Sequence, residues 1–176
     1  MSNERRYKVL TAVGRDRPGL VQKIASAIHE SGANLEDSRM AILGGEFALI
    51  LLLSGSAGAV SKANERVREI GGELALRVFM DDTAKAPQGA FLPYRLKVSG
   101  FDHPGIVAAV TRVLASRAVN VASLESRVQY APESGTPMFL LGAELQVPSE
   151  EVLVALRAEL VATCEDESLE FTLERG

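Results

Sequence analysis

Two copies of the pattern Gly-x-Asp-x-Pro-Gly carry the residues best suited to binding chemistry. They read GRDRPG at residues 14–19 and GFDHPG at residues 100–105. In each copy the Asp offers a carboxylate for an ammonium group, and a helix that begins after the Pro-Gly offers free backbone amides, which favour a carboxylate. A zwitterionic amino acid carries both groups. The pattern therefore predicts an amino-acid site in each half of the chain.

The same motif also has a purely structural interpretation. Proline suits the first position of a helix, and an aspartate just ahead of it accepts hydrogen bonds from the unpaired amides of the first turn. Glycine allows a close backbone approach or an unusual dihedral angle. On this interpretation the motif starts a helix and binds nothing. The motif alone leaves both interpretations open.

A second repeated residue favours the binding interpretation. Asn34 and Asn120 each lie eighteen residues after the aspartate, at the start of a predicted strand. Asparagine tolerates the turn that leaves a helix, so one such residue means little. The combined spacing occurs twice, which makes it more specific than either piece.

The two halves of the chain match at an offset of 86 residues. The identical pairs include Gly14/Gly100, Asp16/Asp102, Pro18/Pro104, Gly19/Gly105, Val21/Val107 and Asn34/Asn120. Repetition over this length indicates two copies of one small domain. We predict a first domain over residues 1–82, a linker rich in Pro, Gly and charge over 83–92, and a second domain over 93–176.

Each half reads as βαββαβ. In the first half the strand-like runs are 6–14, 33–43, 46–54 and 73–80, with helices after Pro18 and from Val60 to Ile70. We expect Gly32 to end the first helix, Gly44-Gly45 to form a hairpin, and Gly71-Gly72 to close the second helix. The second half repeats this order, with Ser149 as an N-cap.

This element order predicts an α+β fold of two ferredoxin-like units. In each unit a four-stranded antiparallel sheet carries both helices on one face. The run FALILLL at residues 47–53 is apolar throughout. We therefore expect its strand to be covered on both faces, and we expect self-association into a homo-oligomer.

Composition excludes several classes of protein. The 176 residues are 47% hydrophobic and 24% charged, as in a globular protein, and the net charge of −4 provides no basic surface for nucleic acid. The absence of Trp and the 5% aromatic content argue against an RNA-binding sheet. No leader is apparent, and the longest apolar run is far short of the roughly 20 residues of a membrane span. We expect a cytoplasmic protein with no membrane partner.

Catalysis has little support. His29 is expected on the outer part of the first helix, while His103 lies beside Asp102 with no serine nucleophile motif, metal-ligand cluster or phosphate loop nearby. Cys164, the single cysteine, excludes an internal disulfide and is expected to be a packed core residue. We expect no enzymatic activity, no metal and no cofactor.

The quoted motifs resemble tandem ACT domains, small regulatory modules of amino-acid metabolism. The resemblance rests on DRPG followed by GANLEDSRM, and on DHPG followed by VNVASLESR, and it covers both halves. Two such units without an appended catalytic domain, with APESGTPMF at residues 131–139, are similar to the glycine cleavage system transcriptional repressor group. The resemblance implies that the two sheets pair side by side into an eight-stranded sheet. It also implies that effectors bind where one unit's first loop meets its neighbour's second strand.

The resemblance further implies a ligand and a set of binding residues. The ligand would be glycine or a similar amino acid, and the partner would be a DNA-binding transcription factor, since the chain itself is acidic. The implied ligand-binding residues are Asp16, Arg17, Pro18, Gly19, Leu20, Asn34, Asp102, His103, Gly105, Ile106 and Asn120.

Two features depart from the family's pattern. Many ACT loops carry Asn where this chain has Asp16 and Asp102, and a carboxylate there favours the ligand's ammonium group. The loops also differ from each other at Arg17 and His103, so we expect the two sites to be unequal. A protein-interaction module with a non-functional ligand site is the alternative, and a small enzyme is a more distant one.

Overall fold

The protein folds as two βαββαβ units, as predicted. Unit 1 contains β1 (Arg6–Arg15), α1 (Leu20–Glu30), β2 (Asn34–Leu43), β3 (Glu46–Gly55), α2 (Ala57–Glu73) and β4 (Arg77–Thr83). Unit 2 contains β5 (Leu92–Phe101), α3 (Ile106–Ser116), β6 (Asn120–Tyr130), β7 (Pro137–Val147), α4 (Glu150–Asp166) and β8 (Leu169–Arg175). The strand orders are β2-β3-β1-β4 and β6-β7-β5-β8, with antiparallel pairing throughout. This is the ferredoxin-like arrangement.

The computed structural model describes residues 5–84 and 89–176. The chain divides into the compact units Met1–Pro87 and Gln88–Gly176. Within the predicted linker, residues 85–88 lie outside the described residues. On either side, β4 extends to Thr83 and β5 begins at Leu92.

Each unit has its own core between one sheet face and its two helices. In unit 1 alternate residues of β3 are buried against the apolar stripe of α1, which Leu20, Ile24 and Ile28 provide. Unit 2 repeats this packing with β7 and α3. Burying one such side chain contributes about 1.5–3 kcal/mol. The prediction of both helices on one sheet face is confirmed.

The helices cover one face of β3, as expected, and the cover of its other face by a partner stays a prediction. Phe47, Leu49 and Leu51 are buried under the helices, but Ala48 and Ile50 point to the other face and are exposed. The apolar residues of β3 therefore alternate in burial even though they do not alternate in type. The exposed apolar residues give unit 1 an uncovered apolar surface.

The second helix of unit 1 ends later than predicted. Gly71 and Gly72 lie inside α2, which continues to Glu73, and β4 begins at Arg77 rather than at residue 73. The turn is made by Ala75, which takes a left-handed conformation with φ 54°. The helix end at Gly32 is confirmed, with φ 78°, and Ala118 takes the corresponding position in unit 2 with φ 53°.

The first glycine of each motif marks a close backbone approach. A Cβ on Gly14 would lie 2.8 Å from Leu76 Cδ2 and 3.1 Å from the carbonyl oxygen of Ala75. A Cβ on Gly100 would lie 2.5 Å from Leu169 Cδ2 and 3.1 Å from the carbonyl oxygen of Ser168. The last strand of each unit therefore begins directly against the end of its first strand.

The hairpins of the two units differ in length. Gly44 and Gly45 form the predicted two-residue turn with φ 60° and 81°, the positive angles that a type I′ turn requires. In unit 2 the loop 131–136 connects β6 to β7, closed by the Ala131 amide donating to Thr136 O at 2.9 Å. The sequence carried no signal for the register shifts next to Glu36 and Ala122, where β2 and β6 bulge.

Candidate functional site

The motif loops are anchored to the neighbouring hairpins. Asp16 follows β1, and its amide donates to Gly45 O at 3.0 Å. In unit 2 the Asp102 amide donates to Pro137 O at 3.1 Å. Both aspartate side chains remain exposed. The same backbone bond therefore fixes both loops, and both carboxylates face solvent.

The helices begin one residue after the motif, which corrects the predicted helix start. Gly19 and Gly105 are the N-cap residues, with φ 90° and 105°, and neither helix has a side-chain cap. Pro18 thus precedes the N-cap instead of occupying the first helical position, and Asp16 does not cap α1. Glycine is needed because a left-handed N-cap disfavours any side chain.

At this helix start the backbone amides of the first turn have no hydrogen-bond partner within the helix. The first intrahelical bonds run from Lys23 N to Gly19 O at 3.0 Å and from Ala109 N to Gly105 O at 2.9 Å. The amides that precede them in each helix have no intrahelical partner, and the helix dipole adds partial positive charge there. Leu20 and Ile106 are buried in their cores, so they offer a ligand only their backbone amides.

Arg17 and His103 perform the same structural task despite their different chemistry. Arg17 Nη2 donates to Leu74 O at 2.6 Å, at the C-cap of α2. His103 Nε2 lies 3.2 Å from Glu167 O, at the C-cap of α4. Side-chain donors suit this position because the last carbonyls of a helix lack partners. The difference between the loops is thus smaller in structure than in sequence.

Asn34 belongs to a charged cluster that sequence reasoning missed. Asn34 Nδ2 donates to Glu36 Oε1 at 3.0 Å, and the same oxygen accepts from Arg5 Nη2 and from Ser54 Oγ, each at 2.6 Å. Ser54 is fully buried. The bulge beside Glu36 allows this convergence, and hydrophobic periodicity contains no signal for a bulge.

Asn120 has a neutral hydrogen-bond partner instead. Its Nδ2 donates to Gln146 Oε1 at 2.7 Å. Ala122 stands in the bulge where unit 1 has Glu36, so the carboxylate is missing. The two asparagines therefore occupy equivalent strand positions with different electrostatics.

Neither unit brings its own aspartate and asparagine together. Asn34 pairs with Ser54, which lies opposite Tyr7, whereas Asp16 follows Arg15 at the other end of β1. Eight strand residues correspond to about 26 Å. Unit 2 has the same separation between Asn120 and Asp102. The aspartate and the asparagine of one unit therefore do not form a single site within that unit.

The described residues hold few other candidates for chemistry. Residues 5–84 and 89–176 contain no group of three or more His, Cys, Asp or Glu side chains placed to hold a metal ion. Cys164 is buried, as expected, and burial raises the pKa of its thiol. His29 is exposed. None of the helices that the structure describes has the length and hydropathy of a membrane span.

Comparison with known families identifies both units. Residues 6–81 and residues 94–151 each match a family model described as the ACT domain. The chain belongs to the ACT domain family. The predicted resemblance is thereby confirmed for both halves.

Similar proteins are found among known sequences and among solved structures. A glycine cleavage system transcriptional repressor from Escherichia coli is 37% identical over 126 residues, which cover 71% of this chain and 66% of the relative. A solved structure of a protein described as unknown, from Galdieria sulphuraria, has a TM-score of 0.86 at 30% identity, covering 98% of this chain and 99% of that one. A solved candidate glycine cleavage system transcriptional repressor has a TM-score of 0.72 at 27% identity, covering 97% and 96%.

Proposed function

We propose that the protein is a non-enzymatic regulatory sensor that binds an amino acid. The observation that carries this proposal is the helix start that occurs in both units. Gly19 and Gly105 leave the first-turn amides of α1 and α3 without a side-chain cap, and an exposed aspartate lies three residues earlier in each loop. A carboxylate and an ammonium group on one small molecule complement these two features.

In the proposed complex the ligand's carboxylate accepts hydrogen bonds from the amides after Gly19, and its ammonium group pairs with Asp16. The second unit uses Gly105 and Asp102 in the same way. The strand asparagines, Asn34 and Asn120, lie too far from the aspartate of their own unit, so they would reach a ligand held by another unit. Binding would then favour one packing of the units over another.

The regulated process is proposed from the similarity to the glycine cleavage system transcriptional repressor of Escherichia coli. Glycine, or a close relative of it, is the proposed ligand. A net charge of −4 disfavours direct contact with the phosphate backbone of DNA. We therefore propose that the protein acts in the cytoplasm through a DNA-binding protein partner.

Thermal unfolding with a panel of amino acids tests the ligand. At one hundred times its dissociation constant a ligand stabilises the folded state by about 2.7 kcal/mol. For a domain of this size the melting temperature would rise by roughly 5–10 °C. Glycine and serine are the first compounds to try, and a selective rise is expected.

Substitution then locates the binding. Asp16→Ala and Asp102→Ala should each reduce the ligand-induced rise, and the double variant should reduce it further, while the unliganded melting temperature stays nearly unchanged. Asp81→Ala is the matched control, because this exposed aspartate lies on β4 away from the loops. A double variant that kept the full response would contradict the proposed site.

A protein-interaction module without a working ligand site is the second candidate. It is favoured by the bonds of Arg17 and His103 to helix C-caps, which give these loops a structural task. This candidate predicts that no amino acid changes the melting temperature of a cooperatively unfolding protein. It also predicts that the protein retains its partner whether or not amino acids are present.

A further inference from the structure

The sheet face of unit 2 that lies away from α3 and α4 contains a hollow of about 550 Å³. Its walls are formed by β5, β6 and β7, and its floor includes Gly142. The volume is within the range of small-molecule sites, roughly 300–1,000 Å³. The hollow is far from the proposed loop site of the same unit, because Gly142 pairs with Lys97 in the middle of β5.

The register places two opposite charges on either side of Gly142. Glu125 of β6 and Lys97 of β5 are both directly opposite Gly142, one on each flanking strand. Strand spacing puts their backbones about 10 Å apart. A Cβ added to Gly142 would meet no atom within 4 Å, so the space between the two side chains is open. A glycine thus separates a carboxylate from an ammonium group.

Further charged side chains surround this row. Arg95 and Glu144 face each other two residues along their strands on one side of Gly142. Arg127 lies two residues along β6 from Glu125, on the other side of Gly142. Among residues 5–84 and 89–176, none of the charged side chains that line the hollow forms an ion pair within the molecule. Charges of both signs are therefore available to a bound molecule.

Unit 1 lacks this arrangement. Ile50 occupies the position of Gly142, and Thr11 occupies the position of Lys97. The hollow is consequently not a general result of the fold. It results from particular residues in one of the two units.

We propose that this hollow binds a zwitterionic α-amino acid. Glu125 pairs with the ammonium group, Lys97 pairs with the carboxylate, and the molecule lies over Gly142. The ligand's side chain points toward Leu140, an apolar residue on the same strand. A ligand with a single charge of either sign would meet a like charge across the row, so the geometry favours a molecule that carries both. This site is separate from the motif loops and does not rest on the proposed function.

Amide chemical shifts measured on the full chain locate any binding. We expect saturable shifts at the amides of Gly142, Lys97 and Glu125 on titration with glycine and serine. Acetate and methylammonium each carry half of the zwitterion and should bind at least about tenfold more weakly. Shifts confined to the motif loops, no saturable shift, or equal binding of acetate would overturn the proposal.

Substitutions in the hollow provide a second test of the proposal. Gly142→Ile gives β7 the residue of unit 1 and should abolish the shifts at Lys97 and Glu125; a β-branched residue suits a strand, so folding is retained. Lys97→Thr, which also copies unit 1, should weaken binding at least about tenfold without filling the hollow. Thr172→Val, in the same row on β8, is the control and should bind normally.

The loop variants separate this site from the proposed sensor site. The Asp16→Ala, Asp102→Ala double variant should retain the shifts at Gly142. If that variant loses them, the hollow is not an independent site and the proposal is wrong. If only the hollow variants lose binding, the amino acid is held here and the loop proposal fails instead.

Discussion

The two units share their cores but differ on the sheet face that the helices leave uncovered. In unit 1 that face carries Val9, Ile50 and Phe79, and the last two are 48% and 59% exposed. In unit 2 the corresponding residues are Arg95, Gly142 and Thr172. The central strands of the first face are apolar at these positions, whereas those of the second carry charges around a hollow.

This difference shows which parts of the duplicated unit are constrained. Residues that face the helices pack against each other, so a change there costs stability in either copy. Residues on the open face have no such neighbours within the unit, and several differ in character between the copies, such as Val9 and Arg95. The common face maintains the fold, and the open faces are where the copies acquired different surfaces.

The largest expected effect is the loss of stability when the close backbone approach shared by both units is disturbed. Gly14→Ala and Gly100→Ala would each place a Cβ within 3.1 Å of a backbone carbonyl oxygen and closer still to a leucine methyl group. We expect each to destabilise the protein by about 1–3 kcal/mol, as measured by urea unfolding. Gly72→Ala, at an open helical position in α2, is the control and should be neutral or slightly stabilising. Equal effects at all three positions would refute the close approach.

The next effect tests the apolar face of unit 1. If this face mediates the predicted self-association, the double variant Ile50→Thr, Phe79→Thr should raise the dissociation constant of the oligomer at least about tenfold, or about 1.4 kcal/mol. Sedimentation velocity over a range of concentrations would measure it. Val154→Thr alters an exposed apolar residue on α4 and should leave association unchanged. Identical association by all three proteins would assign the contact to another surface.

A smaller effect compares the two turns that follow the first helices. Gly32 and Ala118 both have positive φ, which is strained only for alanine. Gly32→Ala should therefore destabilise the protein by about 1 kcal/mol, and Ala118→Gly should stabilise it by up to about the same amount. Thermal unfolding measures both. Ala108→Gly, at a position in α3 without positive φ, is the control and should destabilise the protein by about 1 kcal/mol. If it stabilised the protein as Ala118→Gly does, the strained turn would not be the cause.

The smallest effect concerns acid sensitivity in unit 2. The hydrogen bond from Arg117, followed by one from Ser116, holds the pKa of Glu159 below its usual range. A lowered native pKa means that this carboxylate stabilises the fold above the unfolded pKa, and the contribution is lost as pH falls through the native value. Glu159→Gln should therefore flatten the loss of stability below about pH 4.5. Glu165→Gln on the same helix should retain the wild-type pH profile.

The repeated motifs and the alternation of apolar residues were sufficient to predict the architecture. The offset of 86 residues predicted two units, and Gly44-Gly45 predicted the hairpin that the structure contains. These features are local, because a turn or a strand face depends on neighbouring residues. The exposure of Ile50 could not be read in the same way, since an apolar residue type does not show what lies above it.

The candidate site was predicted less completely because its details depend on distant contacts. The Arg17 bond to Leu74 O joins residues 57 apart, and the cluster around Glu36 requires a bulge. The helix start was misplaced because Pro18 suits a first helical position by type, whereas the structure uses the left-handed Gly19 as N-cap. The separation of Asp16 from Asn34 follows from the strand register, which is set once the sheet has formed.

The uncapped starts of α1 and α3 connect ligand binding to local order. In the free protein no side chain caps the first-turn amides after Gly19 and Gly105, so we expect these turns to open more easily than helix interiors. A carboxylate bound there would act as the missing N-cap, and part of its binding free energy would appear as protection of those amides from hydrogen exchange. Occupancy of each unit would then be measurable at its own first helical turn, independently of any change elsewhere in the chain.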